Sequence, residues 1–137
     1  MTHSIKVAVE IDCPVDLVFE LLTNPELITI WSGDEAQFEH FAGGEVSMFG
    51  AWVSGKVLGI EQDKSVTFTW NTSDWEDYEE SVVNYTLEAN GEKTLLTIIH
   101  NGFPDLSERD AHEAGWYDYV LNPIQEYLMS LGDYDDD

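Results

Sequence analysis

The 137-residue chain is 43% hydrophobic, enough for one domain with one core that needs no metal or disulfide to fold. Its charge is lopsided: 28 acidic residues face 5 basic ones, a net −23. Lys6, Lys56, Lys64, Lys93 and Arg109 are too few and too scattered to track a phosphate backbone or dock on an anionic membrane, so neither nucleic acid nor membrane is an expected partner.

The first predicted element is a strand over Ile5 to Ile11, where Ile5, Val7, Val9 and Ile11 alternate with Lys6, Ala8 and Glu10. Pro14 suits the first turn of a helix, and Val15, Val18, Phe19 and Leu22 keep helical spacing. Asn24 and Pro25 read as the N-cap and first residue of a second short helix, which runs to about Trp31 and is broken at Gly33-Asp34. Strands follow over Gln37 to Phe41, Glu45 to Phe49 and Ala51 to Glu61. Gly43-Gly44 is a turn, and Gly55 and Gly59 signal bulges or a close backbone approach.

Val66, Phe68 and Trp70 alternate with threonines, and beyond the acidic loop Asn71 to Glu79 so do Val83, Tyr85 and Leu87 with polar residues. Asn90-Gly91 is a hairpin signal, and Leu96, Ile98 and His100 share one face of the next strand. Phe103-Pro104 ends the sheet. Ser107 and Asp110 form a candidate capping box. The helix from about Ser107 to Leu131 carries His112, Trp116, Val120, Ile124, Tyr127, Leu128 and Leu131 on one stripe. Gly115 costs it about 1 kcal/mol and Pro123 about 3 kcal/mol, so a kink or break is expected at the proline.

The result is one α+β domain over residues 1–132 with an acidic tail at 133–137. About six or seven strands joined mostly by hairpins make an antiparallel sheet, and the long C-terminal helix must lie across it because both have one apolar face to bury. Space left between them is a natural ligand cavity. Cys13 is the single cysteine, no apolar run approaches the roughly 20 residues of a membrane span, and Met1 to Lys6 lacks signal-peptide character. Together these point to the cytoplasm.

Several short motifs in order resemble one family. They are Pro14-Val15-x-x-Val18-Phe19, Asn24-Pro25-Glu26, Trp31, Gly43-Gly44, Gly55-x-Val57 and Phe68-Thr69-Trp70. Thr94-x-Leu96, His100-x-Gly102-Phe103 and His112-x-x-Gly115-Trp116 complete the set. The pattern is similar to the small bacterial relatives of the activator of heat-shock-protein-90 ATPase, within the START-like (SRPBCC, Bet v 1-like) helix-grip superfamily. The resemblance implies a curved sheet gripping the C-terminal helix over a hydrophobic cavity. It implies carriage of an apolar or amphipathic small molecule, with polyketide-cyclase-type enzymes as the alternative. Within these 137 residues no second domain of the kind with which the eukaryotic activator clasps its chaperone is expected, so the resemblance does not imply a chaperone partner. An interaction protein or a homodimer is a further alternative.

Trp70, Tyr85, Ile98, His100, Gly115 and Trp116 are the candidate ligand-binding residues: strand faces point the first four one way, and the helix stripe carries Trp116. Plain core packing is the competing reading for the aromatics and for Phe68. Gly115 reads as the point where the helix backbone approaches the sheet or ligand. His100 and His112, separated by a short loop, are expected to converge with Asp105. A neutral imidazole beside a carboxylate is a general base, against which stands a hydrogen-bonded structural histidine. No ligand spacing calls for a metal, no phosphate-cradling loop for a cofactor, and the pairs Glu76-Asp77 and Glu79-Glu80 read as solvated loop charges.

The acidity has two readings, solubility and adaptation to high salt, where screening removes self-repulsion. The high-salt reading predicts an unfolding midpoint that rises from dilute buffer to molar KCl; a midpoint that stays put leaves solubility.

Overall fold

The computed structural model describes residues 3–73, 81–103 and 105–135. The carboxylates of Glu76-Asp77 and Glu79-Glu80, Pro104 and the side chains of the acidic tail lie outside that description.

Seven strands form one antiparallel sheet in the order β1-β7-β6-β5-β4-β3-β2. They are β1 (His3–Ile11), β2 (Gln37–Phe38), β3 (Glu45–Met48), β4 (Val53–Glu61), β5 (Ser65–Thr72), β6 (Ser81–Asn90) and β7 (Lys93–Phe103). Between β1 and β2 lie two short helices, α1 (Val15–Thr23) and α2 (Pro25–Ser32). After β7 the chain is helical from Leu106 to Asp135 in three stretches: α3 (Leu106–Gly115), a π-helical segment (Trp116–Leu121) and α4 (Asn122–Asp135). The architecture is the expected helix grip.

Alternation in the sequence becomes alternation in burial. Val7, Ile98, Tyr85 and Val66 stand in one cross-strand row, and Ile5, His100, Val83 and Phe68 in the next; all are buried. Each of these apolar side chains contributes about 1.5–3 kcal/mol on leaving water. Short helices are pinned by local chemistry. The Asn24 side chain accepts from the Glu26 N–H at 2.9 Å with Pro25 behind it, and Gly33 closes α2 at φ 81°. Trp31 donates its indole N–H to the Leu21 carbonyl at 2.8 Å, locking α2 to α1.

Glycines mark the irregular places. The register slips between Val57 and Gly59, a bulge. A Cβ at Gly55 would overlap the Thr69 carbonyl, so backbone meets backbone there. In the β6–β7 hairpin Asn90 pairs with Lys93, and Gly91 takes φ 66°. The predicted strands around residue 50 are shorter than expected because Phe49, Gly50 and Ala51 all have positive φ (57°, 64° and 72°), which no strand residue adopts.

The long helix departs from expectation twice. Its cap is Asp105, whose carboxylate accepts from the Glu108 N–H at 2.9 Å, and not Ser107, which lies exposed within the first turn. Pro123 does not break it. The preceding turns widen to the π register, with the Asn122 N–H donating to the Tyr117 carbonyl five residues back. The ladder thus changes register where proline has no N–H to give, which is how a π-bulge tolerates such a residue. Trp116, Val120, Leu121 and Ile124 are buried along this stretch. At about 1.5–3 kcal/mol each they outweigh the roughly 4 kcal/mol that Gly115 and Pro123 cost. The second half stays on the core through Ile124, Tyr127 and Leu128, while Leu131, placed on the stripe by spacing, is exposed.

The packing at Gly55 makes a prediction. Gly55→Ala should lower unfolding free energy by about 2 kcal/mol or more, since a backbone clash cannot rotate away; urea unfolding of the variant measures it, with Gly59→Ala, which has open space, as the mild comparison.

Candidate functional site

A groove of about 530 Å³ opens between the β3–β4 turn and the long helix. Phe49 and Trp52 reach into it from the turn, Trp70 from β5, and Asp34 from the loop after α2. The helix supplies Glu108, Ala111, His112, Gly115, Trp116, Tyr119 and Val120. Those positions recur every three or four residues, so they form one continuous face that crosses from α3 into the π segment.

The backbone of the β3–β4 turn is strained. Phe49 and Ala51 are not glycines, yet both sit in the left-handed region, at about 1–2 kcal/mol each. The strained turn delivers Phe49 against Trp31, at 6.4 Å between ring centroids, and stacks Trp52 on His112 at 6.0 Å and 18°. Strain of this kind persists where surrounding packing over-determines it.

Beneath the groove lies a chain of polar contacts in an apolar setting. The Trp116 indole N–H donates to His100 Nδ1 at 3.2 Å. That makes Nδ1 an acceptor, so the proton of a neutral His100 is on Nε2, which faces Ser81 Oγ at 2.8 Å. Ser81 in turn donates to the Trp70 carbonyl at 2.7 Å. The Trp70 indole N–H donates to His112 Nε2 at 3.2 Å, which places the His112 proton on Nδ1, opposite the Glu108 carbonyl at 3.1 Å. Burial, and next the neighbouring His112, push the His100 pKa down from 6.5 to about 2. Burial alone raises Tyr85 above its ordinary value.

Trp70, Gly115 and Trp116 therefore line the groove, as does His112. Tyr85, Ile98 and His100 do not: they are buried below it. The expected hollow over these residues is filled, because the Trp116 indole lies 5.1 Å from Trp70 and 6.0 Å from Tyr85, ring to ring. Nor is Gly115 a close approach. A Cβ there would meet only Tyr119 Cδ2 at 3.7 Å, an ordinary contact. Asp105 does not join the histidines as a base partner, since its carboxylate caps α3. His100 and His112 do converge, at 5.6 Å between rings. Sequence reasoning passed over Phe49, Trp52, Asp34 and the helix positions Glu108, Ala111 and Tyr119. Each of the last three lies four residues from His112 or Gly115, a spacing that pointed to them.

Among the described residues no cluster of three or more His, Cys, Asp or Glu is placed to hold a metal. None of their helices is long and apolar enough to cross a membrane. Cys13 is buried with its thiol pKa pushed up to about 11, chiefly by burial, which leaves it a poor nucleophile.

A seven-stranded antiparallel sheet, two short helices and one long helix, with an aromatic groove at their seam, define a helix-grip protein of the START-like class. The chain belongs to the family described as activator of Hsp90 ATPase homolog 1-like protein, whose pattern matches residues 12–129. It is 25% identical over 126 residues to the activator of 90 kDa heat shock protein ATPase homolog of Dictyostelium discoideum, covering 90% of this chain and 32% of that protein. The chain spans about a third of the length of the curated relatives it matches. Its fold superposes on the crystal structure of an HSP90 activator from Plasmodium falciparum with a TM-score of 0.84 at 22% identity, over 91% of this chain and 95% of that one. On CalU16 from Micromonospora echinospora the TM-score is 0.80 at 26% identity, over 93% and 74% of the two chains.

The buried imidazole makes stability pH-dependent. Folded His100 refuses a proton that the unfolded chain accepts below about pH 6.5, so its contribution is complete above that value and is lost as pH falls toward about 2. Unfolding free energy should drop between about pH 6.5 and 5 by up to about 1.4 kcal/mol per pH unit. Urea titrations across that range measure the drop, and the His100 ring resonances of the folded protein should not titrate there.

Proposed function

We propose that this protein binds an apolar or amphipathic small molecule in the groove between the β3–β4 turn and the long helix, without performing chemistry on it. The observation that carries the reading is the aromatic lining, with Trp52 and Tyr119 partly exposed at 39% and 66% over a floor of Trp70 and Trp116. Aromatic rings left facing water in a concave site gain most by covering one another with a ligand.

A cyclase-type enzyme with His100 or His112 as base has less support. The acceptor nitrogen of each ring is already taken by an indole N–H, and His100 is wholly buried. Chaperone association has its support in the names of the relatives. The matched length, about a third of those proteins, limits how far their activity extends to this chain.

The test uses N-phenyl-1-naphthylamine, an uncharged probe that fluoresces in apolar sites, with Gly115→Leu to fill the groove. Wild-type protein should enhance its fluorescence saturably, and the variant should bind at least about tenfold more weakly while unfolding at the same urea concentration or higher, since leucine favours the helix. Equal binding by both proteins places the probe elsewhere and overturns the reading.

A further inference from the structure

We propose that the groove selects a cationic amphiphile, an apolar or aromatic body bearing a protonated amine or quaternary ammonium. The inference rests on the groove being a ligand site, as proposed above, and names the chemical class that fits it.

Two properties of the lining combine. The first is its aromatic surface: Trp52 and Tyr119 present exposed indole and phenol rings over a buried floor of Trp70 and Trp116, the side chains whose negative π faces attract cations most strongly. The second is the sign of its charge. Among the described lining residues, apart from His112 and the Tyr119 phenol, the ionisable side chains are Asp34, in the loop after α2, and Glu108, on α3, both carboxylates; Glu108 Oε1 lies 3.8 Å from His112 Nδ1. No lysine or arginine is among the described lining residues. The nearest arginine in sequence, Arg109, is turned away: its guanidinium donates to the Ser4 carbonyl at the β1 edge and to Asp110 and Glu113. A carboxylate or phosphate headgroup would thus enter without a counter-charge and against two carboxylates. An ammonium would meet π faces and carboxylates together. The net −23 of the chain adds a field that raises local cation concentration and repels anions.

A neutral body alone does not account for this lining as well. A purely apolar ligand would be served by aliphatic walls, yet Val120 and Ala111 are the only aliphatic side chains among the described lining residues.

The test holds the apolar body constant and changes the head. Binding of 4-phenylbutylamine, 4-phenylbutan-1-ol and 4-phenylbutyrate is followed at neutral pH and about 0.15 M salt by indole N–H shifts in NMR spectra. The amine should bind about tenfold more tightly than the alcohol, the gain of a cation–π contact together with a partly screened ion pair, and the carboxylate more weakly than the alcohol. In the double variant Asp34→Asn/Glu108→Gln the amine-to-alcohol ratio should fall severalfold, to the roughly two- to fivefold that the cation–π contact alone supplies. Equal affinity for amine and alcohol overturns the charge selection while leaving the groove as a site. An undiminished preference of about tenfold in the double variant also overturns it, by taking the two carboxylates out of the selection. If none of the three shifts the Trp52, Trp70 or Trp116 signals, the groove itself fails as a ligand site.

Discussion

Two tryptophans cannot be buried between a helix and a sheet unless each indole N–H finds an acceptor, because an unpaired buried donor costs about 1–3 kcal/mol. In this protein both acceptors are imidazole nitrogens, and the choice sets much else. Trp116 on the helix donates to His100 on β7; Trp70 on β5 donates to His112 on the helix. The two bonds run in opposite directions across the same seam, so helix and sheet are stapled in one relative position. Ser81 closes the chain back to the Trp70 backbone. Every donor has an acceptor, which is the condition under which a polar network inside a core specifies one arrangement and does not destabilise it.

That arrangement decides what kind of groove is possible. With Trp70 and Trp116 held ring against ring, the centre of the helix–sheet seam is closed and Tyr85 is sealed below. The groove opens to one side, where the β3–β4 turn stands off the helix. There the chain accepts left-handed backbone at Phe49 and Ala51 to bring Phe49 and Trp52 over the edge. The same histidines that tie the seam accept an indole N–H each, His100 at Nδ1 and His112 at Nε2. His112 reaches the groove, but its Nε2 is committed to Trp70 and its ring to the stack with Trp52.

The long helix reconciles two demands. Its face must stay on the core from His112 to Leu128, and Pro123 must sit inside it. An α-helical ladder would leave the carbonyl four residues before the proline facing a ring in place of an N–H. The π segment removes the conflict by shifting the register one residue ahead of it. The extra residue also turns the stripe, bringing Leu121 into the core beside Val120 and keeping Ile124 buried.

Much of this was legible in the sequence. Period-two alternation in Ile5–Ile11, Val66–Trp70, Val83–Leu87 and Leu96–His100 determined the strands and their inner faces. Asn24-Pro25 and Gly33 bounded α2, and the order of elements determined the helix grip. These are local signals, because periodicity and capping act within a few residues. Non-local outcomes were not legible. The cap at Asp105, two residues before the apparent capping box, and the π solution to Pro123 depend on where the helix must meet the sheet. That Trp70, Gly115 and Trp116 face a groove while Tyr85, Ile98 and His100 lie beneath it depends on how one indole fills the space between two layers. Sequence by itself determined which residues point inward; the tertiary structure alone decided which of those inward residues touch one another and which touch open space, because packing is settled between elements far apart in the chain.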